Sequence, residues 1–82
     1  MSYYIQVGSY QDKKRFDDAV KLFDDAGVKT TAFNSPNNFY SLCIDCPFHD
    51  YQQAVNVMKF FQIMRNRFPH YVIMEYSDKD TL

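Results

Sequence analysis

Tyr3-Tyr4-Ile5-Gln6-Val7-Gly8-Ser9-Tyr10 opens the chain, and its reading sets the rest. Residues 3–7 are rich in aromatic and β-branched side chains and alternate in polarity, and Gly8-Ser9 breaks the pattern, so a first strand ending in a turn is predicted. Asp12 then stands where an N-cap accepts a backbone N–H. Over residues 13–26 Phe16, Ala19, Val20, Phe23 and Ala26 recur at three- and four-residue intervals, with Lys13, Lys14, Asp17, Asp18, Lys21 and Asp25 mainly on the other arc. Gly27 supplies the stop.

Outward from there, residues 28–33 read as a second strand. Asn34-Ser35-Pro36-Asn37-Asn38 is a turn cluster of the kind that joins antiparallel strands, and residues 39–44 form the third strand. A second helix is predicted from His49 or Asp50 to Phe68, with Ala54, Val57, Met58, Phe61, Met64 and Phe68 as its apolar stripe and Pro69 as its end. Tyr71 to Tyr76 is the fourth strand. The order βαββαβ, with a faint repeat between its halves, predicts an α+β, ferredoxin-like (RNP-like) sandwich: a four-stranded antiparallel sheet, strands one and three central, both helices on one face. Residues 1–76 are expected to be one domain, and residues 77–82 a frayed polar tail.

The composition suits one small core. The chain has 82 residues, 46% hydrophobic, and eight Phe with seven Tyr to fill that core. Nine basic against ten acidic side chains, a formal charge of -1, give no footprint for nucleic acid, because phosphate neutralisation needs clustered cations. No apolar run approaches the ~20 residues of a membrane span, so no membrane insertion of this chain is expected.

With both helices on one side, strand parity assigns the uncovered face. If Ile5 and Val7 point to the helices, Tyr4, Gln6 and Gly8 point away, and if Leu42 and Ile44 point in, Phe39, Ser41 and Cys43 point out. Lys29 and Thr31 carry Phe33 outward, and the charge of Glu75 carries Tyr71 and Ile73 outward with it. The expectation is an exposed platform of Tyr4, Phe33, Phe39 and Tyr71 interleaved with Gln6, Lys29, Thr31 and Ser41. Contiguous exposed rings mark a binding site. Rings that meet sugar C–H groups, beside amides and hydroxyls that exchange hydrogen bonds with sugar substituents, suit a glycan.

The opening motif resembles the sporulation-related repeat, or SPOR, domain, whose usual pattern is an aromatic residue, Val-Gln-Val-Gly-Ser, then Phe or Tyr. Asp12, the helix ending in Ala26-Gly27, the Phe39-Tyr40 strand leading to Pro47-Phe48, and Ala54 fit as well, so the resemblance spans residues 3–76. It implies a non-catalytic module that binds bacterial cell-wall peptidoglycan on the open sheet face, favouring glycan strands stripped of stem peptides at the division septum. The groove residues it carries over are Gln6, Ser9 and Phe39, with Tyr40 in place of Phe39 if the register slips by one. It further implies a monomer in the periplasm or cell envelope, tethered to other domains of a parent protein from which this chain is excised. Ser41 stands where the family commonly has Arg, so a cation for the lactyl carboxylate has to come from elsewhere, with Lys29 the candidate. Asp45-Cys46 replaces the family's turn glycine with one added residue.

The remaining constellations have plain readings. Cys43-Ile44-Asp45-Cys46 has redox or half-zinc spacing, but Cys43 falls inside a strand rather than at a helix N-terminus, and no second Cys/His pair completes a tetrahedral set. His49 and His70 flank the second helix as surface or capping residues. The Asp doublets of the first helix alternate with lysines as a solvated face. Glu75, the one Glu, has no acidic partner for glycosidase chemistry. No cofactor, metal or enzyme activity is expected. The alternatives are a single-strand RNA binder and a protein-interaction or dimerisation module, both using the same aromatic face.

Overall fold

The structure, a computed structural model, describes residues 1–64 and 71–82, with backbone only at 36 and 61–64. The elements are β1 (Ser2–Tyr10), α1 (Lys13–Asp25), β2 (Thr30–Ser35), β3 (Phe39–Ile44), α2 (Tyr51–Met64) and β4 (Val72–Tyr76). The strands form one antiparallel sheet of order β2-β3-β1-β4, so β1 and β3 are central and the fold is of the ferredoxin-like α+β class. The expected end of the second helix at Phe68-Pro69, and His70, lie outside the described residues.

Local chemistry sets the boundaries. Asp12 Oδ1 accepts from the Lys14 N–H at 3.0 Å and Asp50 Oδ1 from the Gln52 N–H at 2.9 Å, so each helix starts at an aspartate that satisfies an otherwise orphaned donor. α1 ends with the Val28 N–H on the Phe23 carbonyl and the Gly27 N–H on the Asp24 carbonyl, both 2.9 Å. That Schellman arrangement needs a left-handed residue, and Gly27 supplies φ +76. The β2–β3 turn takes Asn37 and Asn38 at φ 71 and 61, a region asparagine tolerates better than most side chains.

Both helices cover one face. Ile5, Ile44 and Tyr71 are buried there against Val7, Val28, Phe48, Val57 and Met58, and Tyr40 stacks on Phe16 of α1 with centroids 5.2 Å apart. A second buried cluster, Tyr4, Phe33, Cys43 and Tyr76, lies on the opposite face. The sheet is therefore packed on both sides.

The second layer comes from the chain's end. Residues 77–82, expected to fray, leave β4 at one edge of the sheet and reach β2 at the other. Ser77 caps a 3-10 turn at Asp78–Asp80, Thr81 bridges to Phe33, and the Leu82 N–H donates to the Ala32 carbonyl at 2.9 Å. Those backbone bonds order a segment whose polar composition gives no sign of docking.

Candidate functional site

The site on the non-helical face begins with a bulge in β1. Gln6 pairs with Cys43, but Gly8 pairs with Leu42 and Ser9 with Ser41, so one extra residue sits between Gln6 and Gly8. Plain alternation would set Gln6 and Ser9 on opposite faces. The extra residue brings both to the side of Cys43 and Ser41. Gly8, expected to point away from the helices, instead lies opposite Leu42 on the helical side. It is glycine there because the Tyr10 ring folds back over it, and a Cβ would lie 2.4 Å from Tyr10 Oη.

Around Gln6 and Ser9 the face carries a line of polar groups. The Tyr76 hydroxyl donates to Gln6 Oε1 at 2.6 Å and lies 3.4 Å from Ser35 Oγ, and Ser35 Oγ is in turn hydrogen-bonded to Ser41 Oγ. This chain crosses from β4 to β2 over the two central strands. Ser9 is exposed, while Gln6 and Phe39 are half-buried. The groups are amide, hydroxyl and ring, suited to exchanging hydrogen bonds and to stacking.

The expected exposed platform is corrected on two counts. Tyr4 and Phe33 do lie on the non-helical face, but they are 7% and 1% exposed, because Tyr76 and the chain end pack over them. The Phe33 and Tyr76 rings stack 4.4 Å apart at an interplanar angle of 2°, and Tyr4 leans on Phe33 at 4.8 Å. Tyr71 faces the other way and is buried among the helical-side residues. Ile73 pairs with Ile5 and Glu75 with Tyr3, so the odd residues of β4 face the helices, and Val72, Met74 and Tyr76 face away. Glu75 misled the parity reading because it sits at an edge where it stays exposed while hydrogen-bonding Tyr3, whose phenol it holds above the ordinary value.

The other candidates divide in the same way. Ser41 is buried at the base of the face beside Ser35, whereas Tyr40 is on the helical side against Phe16 and does not share the face with Phe39. Lys29 is exposed just before β2, and its carbonyl accepts from the Asp45 N–H. Tyr76 and Ser35 went unrecognised. The alternation Val72, Met74, Tyr76 was the available signal, and the charge of Glu75 outweighed it.

Burial explains the thiol. Cys43 has no exposed surface and its thiol is pushed up to about 12, so at neutral pH it is a small apolar filler rather than a nucleophile. Cys46 is free and exposed in the loop after β3, which swings out before Phe48 returns to pair with Tyr3. Burial also raises the Tyr4 phenol, and Asp78 of the chain end, then Asp45 and Cys43, add to the effect. On the helical side a separate cleft of about 510 Å³ opens between α1 and the β2–β3 pair, floored by Phe16, Val20, Ala32, Tyr40 and Leu42. Compared with known proteins, the chain matches no family model, no curated sequence and no solved structure.

Proposed function

We propose that this chain is a non-catalytic module that binds peptidoglycan, taking glycan strands stripped of stem peptides across β1 and β3 on the face opposite the helices. One observation carries the reading. The β1 bulge turns Gln6 and Ser9, three residues apart, to a common face with Phe39 and Ser41, and Gln6, Ser9 and Phe39 are the residues that the resemblance to the SPOR domain carries over. The Gln6 amide and Ser9 hydroxyl exchange hydrogen bonds with acetamide and hydroxyl groups, and the Phe39 ring receives the C–H face of a sugar. Ser41 supplies no cation, which leaves Lys29 for a lactyl carboxylate. A formal charge of -1 suits a weakly charged glycan better than RNA. The module then works in the periplasm or cell envelope, at the septum, attached to other domains.

The test is co-sedimentation with purified sacculi, before and after an amidase strips the stem peptides. Stripping should increase recovery, and Gln6→Ala, Ser9→Ala and Phe39→Ala should each weaken binding about two- to tenfold, as expected for one lost hydrogen bond or ring contact. Equal recovery of all four proteins, or recovery of none, overturns the reading.

A further inference from the structure

We infer that residues 77–82 are a displaceable cover that holds Tyr76 against this face and so competes with the glycan for it. The inference rests on the function proposed above and adds its regulation.

The path of the chain supplies the cover. Tyr76 pairs with Ser2 at the β4 edge and Thr81 bridges to Phe33 at the β2 edge. Between them the Tyr76 ring is stacked on Phe33, and Asp78 acts on the Tyr4 phenol, so the segment runs over the non-helical face.

What the cover occupies matters more than that it covers. The Tyr76 hydroxyl takes the Gln6 amide oxygen at 2.6 Å, and its ring is stacked on Phe33. A hydroxyl that donates to the Gln6 amide oxygen takes the hydrogen bond that a sugar hydroxyl would make there. Tyr76 is thus an internal stand-in for the ligand, and a glycan that engages Gln6 fully has to displace it.

The far end is weakly held. Asp78, Lys79, Asp80 and Thr81 are exposed, Leu82 is 53% exposed at the rim of the cleft beside α1, and among the described residues the backbone attachment to β2 is the Thr81 bridge and the bond from the Leu82 N–H to the Ala32 carbonyl. A segment with so little buried apolar surface opens locally without global unfolding. The apparent affinity is then reduced by the fraction of molecules that are open, and weakening the attachment raises it.

The experiment uses Cys43 as a reporter beneath the cover, in a Cys46→Ser background that leaves it the sole thiol. Leu82→Pro, which removes the donor to Ala32, and a chain ending at residue 76 are compared with the parent in two assays: alkylation of Cys43 by iodoacetamide, and affinity for amidase-stripped sacculi. Thermal melts confirm that each variant still unfolds cooperatively. In Leu82→Pro, Cys43 should react severalfold faster and affinity should rise about two- to tenfold, the equivalent of one net hydrogen bond. The shortened chain should exceed it in both. Unchanged alkylation in both variants shows that the segment is not a cover. Faster alkylation with unchanged or weaker binding, while the parent binds, overturns the competition and leaves the proposed function standing. Failure of the parent and both variants to bind sacculi overturns the function itself, and the competition with it.

Discussion

Replacing Phe33 by Ala distinguishes a packed second layer from an open aromatic platform. In the structure Phe33 is 1% exposed, stacked on Tyr76 at 4.4 Å and touched by Tyr4 at 4.8 Å. Truncation removes a fully buried ring from beneath the chain end, and the lost transfer energy plus the cavity left behind comes to about 3–5 kcal/mol. Were the face bare in solution, the same change would fall within roughly 0.5 kcal/mol, as surface substitutions do. A domain of 82 residues has a total stability of about 4–12 kcal/mol, so Phe33→Ala should be only marginally folded. Phe33→Leu, expected to cost about 1–2 kcal/mol, keeps the series measurable. Urea unfolding followed by far-ultraviolet circular dichroism gives both values. A double-mutant cycle with Tyr76→Ala should return a coupling of about 0.5–1.5 kcal/mol for the stacked pair. A cost below about 1 kcal/mol for Phe33→Ala, or zero coupling, would refute the two-layer packing.

Gly27→Ala should cost about 1 kcal/mol in a thermal or urea melt, all of it conformational, because φ is +76 and nothing lies within 4 Å of the added carbon. Asp12→Ala and Asp50→Ala should each destabilise by about 1 kcal/mol through loss of the helix cap, and the two effects should add because the sites are separate. Alkylation at pH 8 followed by mass spectrometry should label Cys46 and spare Cys43, which burial holds protonated; comparable labelling of both would contradict the burial. The folded-state pKa of Cys43 is raised, so its contribution to stability is fully present below pH 9 and is lost as pH climbs toward about 12. Cys43→Ala should flatten that part of the alkaline stability profile.

The site residues divide by the kind of information that places them. Gln6, Phe39 and Ser41 follow from strand alternation, which is a local property. Ser9 does not, because its face depends on a bulge that forms only when β1 is laid against β3 and Gly8 is placed under Tyr10. Tyr71 lies on the face opposite to the one its parity with Glu75 predicts, because a charge at a sheet edge reaches water from either face and so carries no information on parity. Exposure of Tyr4 and Phe33 was misjudged for a different reason: what lies over a face is set by residues distant in the chain.

By itself the sequence determined the element order, the Asp12 cap, the Gly27 stop, the asparagine turn and the face to which Gln6 belongs, because each depends on backbone conformations and side-chain periods within a few residues. Only the tertiary structure decided that the second face is closed, with Tyr76 on Gln6 and the chain end bonded to β2. The reason is geometric. Those contacts join opposite edges of the sheet, and segments far apart in the chain meet only once the sheet order β2-β3-β1-β4 has been made.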